Sequence, residues 1–494
     1  MPERSYVNSA LVRILNPVLL ILSFALIAAG ALLIFQNASL YDEGISAVAA
    51  KRIAGGEMPY KDYWLIYTPL QFFLYSFFLK ISDQLIMLRV VDFVIKLLTV
   101  YIAIKLIKQD RKRISLLEER MATVCLLLVI FSSGIAMYPI FLSVLLCLLA
   151  YVVFRRGRII FGCALSVLAI LSKFEVGLFF SVAFGVTLLQ EAIMTKQFRT
   201  LIKYAVVILI LLAAVILLMG TFMGFGQIYE CLIYFPKNIY PATRKIPFPA
   251  FDKFSSYAYL VIVSAGMLIL YWLYSFFKKK GPGSFFLTCF TLFYLGMAYK
   301  LFIRPSFANA VMIIFLLVII GFCIIKDRKS LDAAFLMPIL LLLLFSGYKL
   351  FFFLGHTVEK VKVYGFSEKC LNDPDENDII DFIKAHQDSS FYFGVINHDR
   401  VAYNPVMFYF FEKKVPTYYQ ELHPGQVTTT SVQQHIVEEL EKGKVQYVLL
   451  LNTEFNEPNK SSTDTHIEIL DQYIRGHYTT VRQFGMNYTL MQLK

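Results

Sequence analysis

Apolar runs of about twenty residues recur from residue 15 to residue 354, and they leave few folds open to this chain. A helix rises about 1.5 Å per residue, so roughly 20 such residues cross a hydrocarbon core of about 30 Å with their backbone polar groups paired internally. The clear runs are 15–35, 85–107, 201–222, 257–277, 284–303, 306–325 and 332–354. Two longer stretches divide. Residues 121–154 break at Ser132-Ser133-Gly134 and again at Pro139, and residues 159–190 break at Ser172-Lys173-Phe174-Glu175, so each predicts two short spans. The expectation is a polytopic α-helical membrane protein of eleven spans. The first run is too long for the core of a secretory signal, and no small-residue cleavage site follows it.

Charge divides the chain in the same way. Of its 494 residues 58% are apolar and 17% charged, against about a quarter charged in soluble domains. Residues 356–494 carry 13 Lys/Arg against 19 Asp/Glu, whereas residues 1–355 carry 34 against 16. A basic membrane domain, 1–355, is thus followed by an acidic, polar domain, 356–494. The basic excess lies in short loops between apolar runs, which argues against nucleic acid as a partner and for the lipid bilayer. The seven Cys show no CxxC and read as small apolar fillers. All seven His fall in 356–494, so proton transfer in the membrane domain rests on carboxylates, Lys or Tyr. No P-loop and no GxGxxG is present, which disfavours a nucleotide-sugar substrate or a redox nucleotide.

The segment 65–81 decides sidedness by parity. If it lies along or dips into the membrane face, the loops on the N-terminal side hold 19 Lys/Arg and the opposite loops hold 9. Positive-inside bias then puts the N-terminus in the cytoplasm of a multi-pass cell-membrane protein, and residues 356–494 emerge on the periplasmic or extracellular side.

The first outer loop, 36–84, concentrates the chemistry. Ile45, Val48, Ala49, Arg52 and Ile53 are spaced for an interfacial helix that Gly55-Gly56 ends and Pro59 turns. Tyr60, Tyr63, Trp64 and Tyr67 suit the headgroup level. Asp42-Glu43 opens that helix, where two carboxylates serve equally as caps on the helix dipole or as working groups.

Tyr41-Asp42-Glu43-Gly44, Ala50-Lys51-Arg52-Ile53-Ala54-Gly55-Gly56, Pro59-Tyr60-Lys61-Asp62 and Tyr67-Thr68-Pro69-Leu70 together resemble the first outer loop of the GT-C membrane glycosyltransferases. That superfamily includes the protein O-mannosyltransferases, the lipid A aminoarabinose transferase and rhizobial transferases using lipid-linked sugars. The likeness implies a polyprenyl-phosphate-linked sugar donor and a glycan, glycolipid or protein acceptor outside the membrane. It also implies an acidic residue of the loop as general base. An acceptor hydroxyl is a weak nucleophile, and a carboxylate within reach removes its proton as C1 is attacked. Asp42 is expected in that role, with Glu43 orienting it or an acceptor. A divalent cation is compatible with this acidic pair, and no ligand spacing demands one. Asp62 and Tyr60 are expected to contact acceptor or sugar. One base and direct displacement at C1 give inversion; retention would need two facing carboxylates.

A departing lipid phosphate needs positive charge at the outer face. Arg304 sits in the turn Leu301-Phe302-Ile303-Arg304-Pro305-Ser306, which resembles an Arg-x-Asp-x-x-His turn with Ser306 and Asn309 in the Asp and His places. Lys173 lies at the break of 159–190, Arg89 opens the span 85–107 with Asp92 and Lys96 on one face, and Arg244 and Lys245 lie in the loop 223–256. Snorkelling to headgroups is the competing fate of each.

The tail reads as a small α/β domain. Helices are expected at 375–386, 403–412, 430–442 and 464–475, strands at 391–396 and 445–451, and a hairpin over 477–493 turning at Gly485-Met486-Asn487. Two polar patches stand out, Asn397-His398-Asp399-Arg400 and Glu421-Leu422-His423-Pro424-Gly425; they suit packing on the membrane domain or contact with an acceptor. A lipid or polysaccharide transporter of the envelope is the competing class, and Asp92 and Lys96 are the charges that approach the interior as a transporter would place them. A scaffold with an outer interaction domain is the third.

Overall fold

Each expected apolar run is a helix. The computed structural model describes residues 9–37, 42–111, 114–135, 137–250, 256–278, 285–324, 330–367, 374–395, 405–410, 415–452 and 465–494. Helix α1 (Ser9–Leu32) continues through a 3-10 turn to Phe35; α2 (Asp42–Ala54) and α3 (Leu70–Leu79) fill the first loop. Then follow α4 (Leu85–Asp110), α5 (Leu116–Phe131), α6 (Pro139–Arg155), α7 (Ile159–Ser172), α8 (Phe174–Thr195) and α9 (Arg199–Met223). A broken segment, α10 (Phe225–Tyr229), a π-helical stretch Glu230–Ile239 and α11 (Tyr240–Arg244), leads to α12 (Ser256–Lys278), α13 (Phe285–Ile303), α14 (Phe307–Ile324) and α15 (Ser330–Tyr364).

By length and composition alone, seven of the described helices suffice to cross a membrane: α1, α8, α9, α12, α13, α14 and α15; α6 and α7 are shorter apolar helices. Both long runs divide where their sequence breaks. Ser115 starts α5 with a reciprocal cap, its hydroxyl accepting from Glu118 N at 3.2 Å while Glu118 Oε2 accepts from Ser115 N at 2.8 Å. Pro139 opens α6, a position where its missing N–H is no loss. Lys173 is extended (φ −149°, ψ 106°) and separates α7 from α8. The two helices then approach so closely that a Cβ on Gly177 would fall 2.2 Å from Ile170 N.

Helix α3 has 10 residues, which span about 15 Å. That is half a hydrocarbon core, as the parity argument requires. Helix α2 departs from expectation. It is buried from Glu43 to Ala50, not laid along a surface with one apolar face. The reason lies far along the chain: the tail covers it, with Lys51 Nζ donating to Tyr409 O at 2.7 Å and Arg52 Nη1 to Thr417 O at 3.0 Å. Helix α15 also overruns the expected boundary at 355. Its 35 residues, about 52 Å, carry one unbroken helix from the apolar run into the tail.

The tail holds a four-stranded sheet in the order β1-β2-β4-β3. Strands β1 (Phe391–Val395) and β2 (Tyr447–Leu451) are parallel, Phe391 opposite Tyr447, with α17 (Thr430–Gly443) in the connection between them. Strands β3 (Tyr478–Phe484) and β4 (Tyr488–Leu493) form the expected hairpin, closed by Gly485 at φ +53°. Helices α16 (Pro374–Ala385) and α18 (Ile469–His477) complete the α/β domain. The helix expected over 403–412 is a 3-10 helix, Pro405–Phe410, and its flanks lie outside the described residues.

Candidate functional site

A cavity of about 530 Å³ lies where the first outer loop, the α5–α6 and α7–α8 breaks, the π-helical stretch and the α13–α14 turn converge. Asp42, Tyr138, Lys173, Glu175, Lys300, Arg304 and His423 are on its wall. Two carboxylates and three cations expected from, or hidden in, distant parts of the sequence therefore share a single space.

Asp42 is the first residue of α2, where the helix dipole favours an anion. Tyr138 donates its hydroxyl to Asp42 Oδ2 at 3.1 Å. Burial, with Asp42 next, pushes the Tyr138 phenol well above its ordinary value, so it stays a donor. Four hydrogen bonds tie the first outer loop to the α5–α6 loop. Ser46 Oγ donates to Met137 O at 3.1 Å, and Gln71 Nε2 donates to the same carbonyl at 2.7 Å. The Gln36 amide pairs with Ile135 both ways, donating to its carbonyl at 2.9 Å and accepting from its N–H at 3.0 Å. Gly134 (φ +66°) makes that clasp possible, since a Cβ there would fall 2.4 Å from Gln36 Oε1.

Glu43 and Arg89 lie behind the wall, both 0% exposed. The Arg89 guanidinium grips Glu43 bidentately at 2.6 and 2.9 Å and donates to the carbonyls of Ile34 (2.9 Å) and Gln36 (2.8 Å). This pair joins the start of α2 to the end of the first helix and to α4; the structure brings neither residue to the cavity. Removing one partner of such a pair strands a buried charge. Arg89→Met is expected to destabilise the protein by about 3–5 kcal/mol, read as a lower thermal midpoint in detergent; an unchanged midpoint would show that the pair has no role in holding α2.

Tyr60 and Asp62 are also away from the cavity. Tyr60 is buried at φ +66°, its hydroxyl donating to Tyr67 O at 2.6 Å and its carbonyl accepting from Tyr418 Oη at 2.6 Å. Asp62 is exposed and accepts from Met58 N at 2.7 Å, closing the turn after Gly55-Gly56. Their pattern is that of a loop held in shape. Lys245 is exposed, and the Arg244 side chain lies outside what is described.

The cations stand on two elements. Lys173, between α7 and α8, lies 4.0 Å from the centre of the Tyr67 ring. Lys300 and Arg304 are one helical turn apart at the end of α13, with Arg304 N donating to Lys300 O at 2.9 Å. Asn309 Nδ2 donates to Arg304 O at 3.1 Å and pins the turn. Glu175 Oε1 meets Lys300 Nζ at 2.6 Å and Lys173 Nζ at 3.5 Å. Burial pushes the Lys173 ammonium down to about 8 against the pull of Glu175, and Lys300 lowers it further. Lys300 was not anticipated; its i, i+4 spacing from Arg304 was the available signal.

The tail contributes the last wall. Residues 417–426 thread between the first loop and the π-helical stretch: Trp64 N donates to Tyr418 O at 2.9 Å, and Thr243 Oγ1 to Pro424 O at 3.3 Å. His423 packs against Trp64, Phe235 and Tyr240, ring centres 5.3, 5.6 and 6.3 Å away. Its Nε2 lies 3.1 Å from Glu421 Oε2. Burial pushes the Glu421 carboxyl well above the usual range, with Lys173 opposing and Asp42 reinforcing. The second patch therefore both packs on the membrane domain and reaches the cavity, whereas Asn397-His398-Asp399-Arg400 lies outside the described residues. Among the described residues, no group of three or more His, Cys, Asp or Glu is placed to hold a metal ion.

Neither a family model nor a curated protein matches the chain in sequence. Among solved structures, ArnT from Cupriavidus metallidurans bound to undecaprenyl phosphate is similar over 98% of both chains, with a TM-score of 0.50 at 13% identity. The apo state of the same protein is similar over the same 98% of each chain, with a TM-score of 0.53 at 13% identity. The likeness covers the apolar helices and the tail alike. The overall fold of this chain is thus that of ArnT, and the architecture expected from the first outer loop agrees with it.

Proposed function

We propose that the chain is an inverting glycosyltransferase that moves a monosaccharide from a polyprenyl-phosphate donor to an acceptor outside the cytoplasmic membrane. The observation that carries this reading is the shared cavity, whose wall holds Asp42 together with Lys173, Lys300 and Arg304. In the proposed reaction the Asp42 carboxylate takes the proton of the acceptor hydroxyl or amine as that atom bonds to C1 of the sugar. The C1–O bond to phosphate breaks, and its electron pair leaves with the lipid phosphate. The three cations stabilise the charge that grows there, so no acid is needed for departure. Tyr138 holds Asp42 by its Oδ2 atom and so fixes the carboxylate at the cavity wall.

The fold supports the lipid half of the reading, since the ArnT structure of like fold holds undecaprenyl phosphate. The orientation, N-terminus inside and cavity outside, and the count of eleven crossings rest on the basic loops and on the helices that match every apolar run. The charges that suggested a transporter have a different explanation. Lys96 Nζ meets Asp92 Oδ2 at 3.1 Å and donates to Gly134 O, so the pair braces the α5–α6 loop.

The protein reconstituted in nanodiscs is expected to bind a polyprenyl phosphate, detected by native mass spectrometry. Binding draws on a charged Lys173, whose free-site value is about 8. The bound anion raises that value, so affinity is full below pH 8 and falls as the pH rises through it. Retention of no lipid phosphate, or movement of a labelled lipid across vesicles without covalent change, would overturn the proposal.

A further inference from the structure

Glu175 is a carboxylate of the cavity wall that the mechanism above does not use. Its position is unusual for a site meant to take an anion. Lys173 and Lys300 both reach one atom, Glu175 Oε1. A single oxygen between two ammonium groups is the seat that a phosphate oxygen takes. Glu175 is 33% exposed where the two lysines are 15% and 16% exposed, so the carboxylate is the more accessible member of the trio. It also stands in the first turn of α8, beside the extended Lys173.

We propose that Glu175 is a resident counter-ion for the donor phosphate: it holds the two lysines together in the empty site and yields their ammonium groups to the incoming lipid phosphate. The inference rests on the reading that this cavity takes a polyprenyl phosphate. Without an anion between them, Lys173 and Lys300 would repel and separate. With one, they stay at the spacing the phosphate needs. The same carboxylate competes for its seat after transfer and so speeds departure of the spent carrier. Arg304 adds its own charge to the phosphate once the lipid is bound.

The test is the affinity of the full-length protein in nanodiscs for undecaprenyl phosphate and, separately, for inorganic phosphate. Glu175→Gln is expected to bind both about tenfold tighter, mostly through slower dissociation. Tightening for the lipid alone would overturn the proposal, because the seat is for the phosphate. Glu175→Asp keeps the net charge but shortens the reach, and is expected to fall between the two. Asp42→Asn removes one negative charge from the same wall and leaves the Glu175 Oε1 seat in place, and is expected to change affinity by less than about threefold. Equal tightening in Asp42→Asn would make the effect one of net charge, and weaker binding in both Glu175 variants would make Glu175 a mere brace; either overturns the proposal. Wild-type protein that binds no polyprenyl phosphate would sink the functional reading instead.

Discussion

Asp42→Asn is expected to lower sugar transfer by about 10²–10⁴-fold, the usual contribution of a general base. The substitution is nearly isosteric, and the Asn carbonyl still accepts the Tyr138 hydroxyl that now meets Oδ2 at 3.1 Å. Helix α2 keeps its anchor, because Glu43 and Arg89 hold it from behind. The loss should thus fall on kcat, with donor affinity and thermal midpoint near those of the wild type. The assay is transfer of labelled sugar from lipid donor in membranes. Transfer at the wild-type rate would place the base elsewhere, with Glu421–His423 the next pair to test.

Arg304→Met is expected to cost about 10²–10³-fold in kcat, comparable to losing one charge-stabilising donor in other transferred-group sites. Lys at this position should recover only part of the rate, since a guanidinium offers a planar fork to phosphate and an ammonium does not. The effect should differ in kind from that of Lys173→Gln. Lys173 is the softer cation, with a value near 8, and its removal should raise the donor KM more than it lowers kcat. Equal, small effects from both variants would argue that the phosphate sits elsewhere.

Much of this architecture can be read from apolar run length and from the residues that interrupt it. Ser132-Ser133-Gly134, Pro139 and Lys173 each mark a helix boundary because each carries its own local reason: a cap, a missing N–H, an extended backbone. The tail strands were legible because β-branched and aromatic runs lie between polar turns. What was not legible depends on contacts between distant parts of the chain. The adjacent acids Asp42 and Glu43 look equivalent in sequence, yet one faces the cavity and the other is consumed by Arg89. That division is set by which way one helical turn points, 100° per residue, against α4. Tyr60 and Asp62 belong to a motif and look functional, but their groups are taken by the loop itself. Lys300 was hidden inside an apolar run, where a single lysine reads as snorkelling until Glu175 is seen beside it.

The cover over α2 comes from residues made more than three hundred and fifty positions later, Tyr409 and Thr417. The first outer loop therefore emerges from the ribosome long before its lid exists. Burial of α2 is therefore a late event in biosynthesis, since the segment that covers it follows the apolar helices in the chain.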